Sequence, residues 1–309
     1  MAVPHARSDA LSALIAIPPL LLAMVAGLTA GMLAIKAGFL GGTPGIPLAS
    51  TPETIVVAPR TFSYRAPGEY TRGGYSVDGP MLTVSVERPL TIMKYQVSKG
   101  DYARCVADGV CPAPEPEFST EGQDDIPATG ISFDDAHAYA AWLSRETGEA
   151  WRLPTDEELA FAAGSRFPDD ALSGAGAGSS NPADRWLERY RRETTRGASR
   201  EAAPKSLGQF GENEFGLSDF AGNVWEWTTT CFHRINLDRA QPNSDDTSSC
   251  GIQMVAGQHR AAMVFFVRNP KGGGCAVGAP PDNLGFRLVK DAQWYEPLLR
   301  TLRMSGLLS

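Results

Sequence analysis

The acid with the greatest potential for chemistry in this sequence is Glu226, which stands between two tryptophans in Trp225-Glu226-Trp227. In an extended strand the two indoles share one face, and Glu226 shares the other face with Val224. A carboxyl group beside indoles can have a raised pKa and act as a catalytic acid. The alternative is a structural strand in which Glu226 caps nearby backbone amides, and the sequence leaves both interpretations open.

Five cysteines form the second set of reactive groups: Cys105, Cys111, Cys231, Cys250 and Cys275. In an oxidising compartment their spacing indicates disulfides, whereas in a reducing compartment it would indicate metal binding or catalysis. The sequence has no C-x-x-C and no H-x-x-x-H pair, so a zinc site has little support. We predict disulfides Cys105–Cys111 and Cys231–Cys250, which leave Cys275 unpaired.

The composition argues against nucleic acid as a partner. The formal net charge is −7 at pH 7, charged residues make up 20% of the chain, and no run of Lys or Arg is long enough to follow a phosphate backbone. The glycine-rich stretch 174–180 lacks the Gly-Lys-Ser/Thr ending of a phosphate-binding loop. We expect this stretch to be a flexible loop.

The N-terminal part of the chain predicts a membrane anchor. Residues 10–35 are apolar and uncharged, and they exceed the length of about 20 residues that a spanning helix needs. A signal-peptide core is usually shorter, about 7 to 15 residues. We therefore predict a cytoplasmic N-terminus at 1–9, a transmembrane signal anchor at 10–35 in the inner membrane, and a Gly/Pro-rich linker at 36–59. A secreted or periplasmic protein after signal cleavage is the alternative.

The elements that must position these groups predict an α+β fold. Short β-branched and aromatic runs between residues 61 and 95 are typical of strands. Residues 213–227 predict turns at Gly216 and Gly222 that alternate with two strands. Three helix starts are predicted where a hydroxyl residue precedes an acid by three positions, since this pair satisfies free amides of the first turn. They are Ser98 with Asp101, Ser132 with Asp135, and Thr155 with Glu158.

The stretch from Asn213 to Trp227 resembles the signature N-x-x-G-L-x-D-x-x-G-N-V-W-E-W of the formylglycine-generating-enzyme (sulfatase-modifying-factor) family. Three further segments fall in the family's order: Arg152 to Leu159, Val255 to Gln258, and Asn283 to Leu288. The resemblance implies one irregular α+β domain of the C-type-lectin-like fold, at residues 60–291, behind one N-terminal transmembrane helix and followed by a tail at 292–309.

The resemblance also implies a chemistry for which this chain lacks the residues. The family's founding activity oxidises a cysteine of sulfatases to formylglycine through two cysteines that bind copper, because soft thiolates suit copper(I). By position those cysteines would fall near Ala261 and Phe266, where this chain has no cysteine. Formylglycine generation is therefore disfavoured, and no redox cofactor is inferred. One thiol at Cys275 does not replace a pair.

Other site residues follow from the resemblance by position. Calcium in this family is often held near the signature turn by an asparagine side chain and backbone carbonyls, because hard cations prefer oxygen ligands. The matching residues here are Asn213, Glu214 and Gly216, and Asn181 matches a second site. For Arg260 and Arg268, ion pairs with surface acids are the alternative to substrate binding. The candidates for catalysis or for a substrate groove are His259, Arg260, Arg268, Cys275, Trp225 and Glu226.

The chain is most similar to the exported or membrane-tethered branch of the family, which includes NirV proteins associated with copper nitrite reductase and PvdO proteins of pyoverdine maturation. We favour the NirV-like branch, which implies a membrane-anchored periplasmic accessory or maturation factor. Its partner would be a peptide segment of an exported oxidoreductase such as copper nitrite reductase. The alternatives are a metal-dependent oxidase that uses His259 and Cys275, and a non-catalytic ligand-binding module.

Overall fold

The computed structural model describes residues 51–118, 122–171, 181, 183–184, 187–188, 190–191, 194–195, 201–238, 247–273 and 281–291. All of them belong to one compact unit, which spans residues 48–309. No helix within these ranges is long and apolar enough to cross a membrane. The predicted anchor at 10–35, the tail at 292–309 and Cys275 lie outside the described residues.

Short strands make up most of the regular structure. They are β1 (Thr54–Val57), β2 (Arg60–Arg65), β3 (Glu69–Arg72), β4 (Tyr75–Val77), β5 (Met81–Val86), β6 (Leu90–Met93), β7 (Trp151–Arg152), β8 (Trp225–Asn236), β9 (Thr247–Ala256), β10 (Arg260–Val264), β11 (Leu284–Gly285) and β12 (Val289–Lys290). The largest sheet has the order β10-β9-β8-β3-β4, and β11 pairs with β8 from outside this path. A second sheet has the order β1-β6-β12-β7, and β2 pairs with β5. Strands β3 and β11 run parallel to β8, while β9 runs antiparallel to it, so β8 is the strand on which the sheet is assembled.

Three helices begin where the hydroxyl–acid pairs predicted them. They are α1 (Lys99–Ala107), α2 (Phe133–Thr147) and α3 (Asp156–Ala163); a short 3-10 helix (Gly164–Arg166) and a four-residue helix α4 (Pro270–Gly273) follow. Ser132 and Thr155 form complete capping boxes, and Ser98 accepts a hydrogen bond from the amide of Asp101. Helix α2 ends at Gly148 in the left-handed conformation, with φ of 69°. The predicted starts of all three helices are confirmed.

Two apolar clusters hold the elements together. In the first, α2 packs its apolar face of Ala136, Ala140 and Leu143 in one cluster with Trp227 and Phe286. The second cluster forms around α3 and contains buried residues of β1, β6 and β12, together with part of the signature turn. The signature segment therefore contributes to both clusters, which explains why so many of its side chains are buried.

Two segments differ from the sequence prediction. Strand β1 lies inside the predicted linker and pairs with β6, from Thr54 opposite Met93 onward, so the folded sheet begins before residue 60. The first strand predicted within 213–227 is absent, and an isolated bridge between Glu212 and Ser218 takes its place. The side chain of Asn213 accepts hydrogen bonds from nearby amides, which removes donors that a strand ladder would need.

Both predicted disulfides are present. Cys105–Cys111 closes a short loop at the end of α1, and Cys231–Cys250 connects β8 with β9. Stable disulfides are typical of proteins that fold in oxidising compartments. All the cysteines in the described ranges are therefore bridged.

Candidate functional site

The two indoles of the signature fix the start of β8 in the core. Trp225 and Trp227 are 3% and 0% exposed. The indole N–H of Trp225 donates to the carbonyl of His259 at 2.9 Å, and that of Trp227 donates to the carbonyl of Ile131 at 2.8 Å. Because both polar ends are satisfied, the two rings act as buried anchors that place Glu226 and the β10 segment.

Glu226 lies between these anchors and is bonded to Arg287. The Nε and Nη2 atoms of Arg287 lie 2.5 and 2.7 Å from the two carboxylate oxygens, and neither side chain is exposed. Gln96 donates a further hydrogen bond to Glu226 at 2.7 Å. The remaining donors of Arg287 bond to the carbonyls of Met93, Lys94 and Ser218. All five N–H donors of the guanidinium are therefore used.

This arrangement differs from both interpretations of Glu226 that the sequence allowed. Its carboxylate does not cap backbone amides, because its partners are the side chains of Arg287 and Gln96. It also has no exposed surface through which to reach a substrate. Glu226 therefore links β8 to the last family segment, and its role here is structural.

Arg260, the first residue of β10, is a second buried cation. Its Nε lies 3.0 Å from Asp170 and its Nη1 lies 3.3 Å from Asp156. Its Nη1 also donates to the carbonyl of Arg65 at 2.8 Å. Two acids thus neutralise this arginine inside the protein. The alternative considered from the sequence was an ion pair with acids at the surface.

Asp156 is the acid whose protonation is most affected by this cluster. It stands at the start of α3 and is 0% exposed. The pKa of Asp156 is raised to about 6. Burial is the largest cause, Arg260 opposes it, and the neighbouring carboxylates of Asp170 and Glu157 add to the rise. The carboxylate Oδ1 has no hydrogen-bond partner among the described residues.

His259 occupies the end of the turn before β10 and is 9% exposed. Its ring packs edge to face against Trp225, with ring centroids 5.2 Å apart. Within the described part of the chain, its Nε2 has no hydrogen-bond partner. His259, Arg260 and Trp225 therefore lie next to one another.

Arg268 belongs to a different group. It forms a two-point ion pair with Asp135 near the start of α2, at 2.6 and 2.9 Å, and a further short ion pair with Glu115. Burial favours a higher pKa for Asp135, but hydrogen bonds from Arg268 and Ser132 outweigh it and lower that pKa. Arg268 thus connects the loop around Glu115 to α2, and the ion-pair alternative describes it better than substrate binding.

The donor set on the β10 segment does not fit copper. Ala261 is buried within β10 and Phe266 is 65% exposed beyond it, and neither residue offers a ligand atom. The described cysteines are all in disulfides. In the described ranges, no group of three or more His, Cys, Asp or Glu side chains is arranged to hold a metal. No step of a reaction is therefore derived through copper.

The side-chain oxygens of Asn213 and Glu214 are already engaged within the protein, which disfavours them as calcium ligands. The Oδ1 of Asn213 accepts hydrogen bonds from the amides of Phe215 and Leu217, at 2.9 and 2.8 Å. The carboxylate of Glu214 accepts from the amide and hydroxyl of Ser165. These side-chain oxygens already have N–H or O–H partners, so Asn213 and Glu214 stabilise the turn. The Oδ1 of Asn181, the residue matched to the second calcium site, accepts a hydrogen bond from the amide of Ala183.

The comparisons agree with this fold. A family model described as "Sulfatase-modifying factor enzyme 1-like domain" matches residues 44–292. The formylglycine-generating enzyme of Mycobacterium tuberculosis is 32% identical over 186 residues, which are 53% of this chain and 57% of that protein. The inactive C-alpha-formylglycine-generating enzyme 2 of Mus musculus is 28% identical over 172 residues, 54% of this chain and 50% of that protein. This chain thus spans about half the length of the curated relatives it matches.

A solved structure supports the fold independently. PvdO from Pseudomonas aeruginosa superposes with a TM-score of 0.52 and 22% sequence identity, over 82% of this chain and 100% of that chain. Because the family model covers most of the sequence, the chain belongs to the sulfatase-modifying-factor family. The α+β fold predicted from the four ordered motifs is confirmed.

Sequence reasoning did not identify the partners that give the site its electrostatic character. Arg287 lies in the last of the four family segments. An arginine within the apolar run Leu284 to Leu288 indicates a buried cation that needs an acid as its partner. Asp156 lies in another family segment, at the first turn of α3, where acids are common because they favour the helix dipole. Asp170 carried no signal, because it lies 90 residues from Arg260 in the sequence.

Proposed function

We propose that this chain is an accessory or maturation factor rather than a generator of formylglycine. It would be anchored in the inner membrane by residues 10–35, with its family domain in the periplasm. It would recognise a peptide segment of an exported oxidoreductase, of which copper nitrite reductase is the leading example. The observation that carries the proposal is the pair Ala261 and Phe266 at the positions of the family's copper-binding cysteines.

Two further observations support it. The disulfides Cys105–Cys111 and Cys231–Cys250 suit a domain that folds in an oxidising compartment such as the periplasm. The relatives of this chain include a protein named as an inactive formylglycine-generating enzyme, so loss of the founding activity occurs in the same family. Since the fold survives without the thiol pair, a role based on binding is consistent with it.

The test is complementation in a host that carries the gene. Deleting the gene should lower the activity and copper content of the exported copper nitrite reductase, and the wild-type gene should restore both. A double variant, His259→Ala with Cys275→Ala, should restore them as well, because the proposal gives neither residue a catalytic role. Unchanged nitrite reductase in the deletion strain would contradict the proposed partner.

A metal-dependent oxidase is the second candidate, favoured by the unpartnered Nε2 of the buried His259. In that case the double variant would accumulate normally but would not complement, and the purified wild-type chain would contain a redox metal and consume oxygen. A third outcome, calcium alone with no oxygen consumption and no effect on an oxidoreductase, would favour a ligand-binding module. A peptide from a sulfatase should remain unoxidised by the wild-type chain supplied with copper(I) and oxygen.

A further inference from the structure

The two disulfides of the described chain differ in their surroundings. Cys105 and Cys111 are 0% and 5% exposed and belong to the first apolar cluster. Cys250, by contrast, is exposed, and Cys231 is half-buried. A thiolate has to approach a disulfide sulfur directly in order to break the bond, and exposed bridges are accordingly the labile ones. Thiols from solution therefore reach Cys231–Cys250 more readily than Cys105–Cys111.

Strands β8 and β9 hold the two exposed-side cysteines opposite each other. The Cα atoms of Cys231 and Cys250 are 4.6 Å apart, the separation of directly opposite residues at a non-hydrogen-bonded position of antiparallel strands. Next to them, Phe232 lies opposite Ser249, so strand pairing continues beyond the bridge. Because this pairing does not depend on the S–S bond alone, the two thiols would still face each other after reduction. The bond can therefore form again without unfolding of the sheet.

The ladder between β8 and β9 is irregular at this bridge. Its register shifts between Trp227 and Cys231 and again between Cys231 and Phe232. Such irregularities redirect side chains and are over-represented next to active sites. The exposed bridge therefore lies where the regular pairing of the largest sheet is interrupted.

Two exposed phenylalanines lie beside the bridge. Phe265 and Phe266 are 36% and 65% exposed, and their ring centroids are 5.3 Å apart. The amide of Phe265 donates to the carbonyl of Gly251, the residue after Cys250, at 3.2 Å. Exposed aromatic rings offer a large apolar contact area to a polypeptide. A thiol with apolar neighbours is therefore favoured at this bridge over a small polar thiol.

We propose that Cys231–Cys250 is a thiol–disulfide exchange site for a polypeptide that carries two cysteines among apolar residues. A thiolate of this partner attacks the Sγ of Cys250, and the thiolate of Cys231 leaves with the electron pair of the broken S–S bond. The partner's second thiolate then attacks the partner's own sulfur in the mixed disulfide and releases Cys250. One turnover moves two electrons and two protons from the partner to this chain, and the partner becomes a disulfide. This activity goes beyond the proposed function, because it does not depend on which oxidoreductase the chain serves.

The first experiment compares the two bridges in the purified full-length chain. The chain carries Cys275→Ser and is mixed, without oxygen, with an excess of the reduced peptide acetyl-Cys-Leu-Phe-Leu-Cys-amide. Free thiols are blocked with N-ethylmaleimide at intervals and assigned by mass spectrometry. Cys231 and Cys250 should become blocked about tenfold faster than Cys105 and Cys111, while an equal amount of peptide is oxidised. Equal rates for the two bridges, or no oxidation of the peptide, would overturn the proposal.

Removing each bridge separately assigns the activity. Replacing Cys231 and Cys250 by alanine should abolish oxidation of the peptide. The matched control replaces Cys105 and Cys111 by alanine, which removes the same number of sulfurs, and its initial rate should stay within about twofold. Peptide oxidation that survives the loss of Cys231–Cys250 would contradict the assignment. If a variant does not fold, the rates at the two native bridges decide.

The role of the aromatic pair is tested with a polar peptide, acetyl-Cys-Ser-Asn-Ser-Cys-amide. It should be oxidised about tenfold more slowly than the apolar peptide, since it buries less apolar area against the exposed rings. Phe266→Ser should remove most of this preference. Tyr75→Ser is the control, because Tyr75 is 60% exposed on β4, and it should retain the preference. A preference that is unchanged by Phe266→Ser would show that the partner does not bind beside these rings.

Discussion

Replacing Glu226 by glutamine should destabilise the domain far more than removing an exposed acid. The substitution keeps the shape of the side chain but removes the charge that neutralises Arg287, and both side chains are 0% exposed. Breaking a buried ion pair from one side typically costs about 3–5 kcal/mol, because the other charge stays buried and uncompensated. For a domain of this size each kcal/mol corresponds to about 2–4 °C in the melting temperature, so a decrease of about 6–20 °C is expected.

The matched control is Glu69→Gln. Glu69 pairs with Arg234 at 2.8 Å, but the side chains are 22% and 55% exposed. Pairs in contact with solvent contribute about 0–1 kcal/mol, so this variant should melt within about 4 °C of the wild type. Thermal and urea unfolding of both variants, followed by circular dichroism, gives the comparison.

A double-mutant cycle then separates the pair from its surroundings. Arg287→Met alone leaves Glu226 charged and buried, so it too should be strongly destabilising. The double variant, Glu226→Gln with Arg287→Met, should be more stable than the sum of the single losses predicts. Additive losses, or a decrease for Glu226→Gln no larger than for Glu69→Gln, would refute the argument that this pair is a buried structural link.

Three further predictions address the turns, the disulfide and the titration of the site. Gly130→Ala should lower the free energy of unfolding, measured with urea, several times more than Gly148→Ala. Both glycines have φ near +70°, but a Cβ at 130 would lie 2.1 Å from a backbone carbon, whereas a Cβ at 148 would meet nothing within 4 Å. Replacing Cys231 and Cys250 by alanine should lower the free energy of unfolding by about 3 kcal/mol, since the bridge closes a loop of 19 residues. Burial raises the pKa of Asp156 to about 6, so the folded chain binds a proton there at a higher pH than the unfolded chain. The contribution of this carboxyl to the free energy of unfolding therefore increases as the pH falls from 7 towards 5. Asp156→Asn should remove that increase, and an identical pH dependence of stability in the variant and the wild type would contradict it.

The local elements were predictable because their signals act within a few residues. A hydroxyl at Ser132 and an acid at Asp135 are sufficient to start α2, whatever surrounds the helix, and the structure shows their reciprocal capping. The start of the folded unit was harder to predict. Strand β1 lies among prolines and glycines that are typical of a linker, and only its pairing with β6 makes it a strand.

The site was predictable only in part, because its charges are neutralised across large sequence separations. The resemblance placed Trp225, His259 and Arg260 near each other, and the structure brings them together. It could not supply the acids that pair with Arg260, since Asp170 is 90 residues away in sequence. Whether a motif arginine binds a substrate or a neighbouring acid depends on such distant contacts.

This distinction decides which arginine of the described chain is suited to hold a ligand. Arg260 and Arg268 were the candidates from family position, yet each is paired with two acids. Arg287 is fully saturated by Glu226 and backbone carbonyls. The charge of each of these three arginines is thus already balanced inside the protein. A guanidinium already neutralised by carboxylates gains little from another anion, so ligand binding is expected where the neutralising partner is missing.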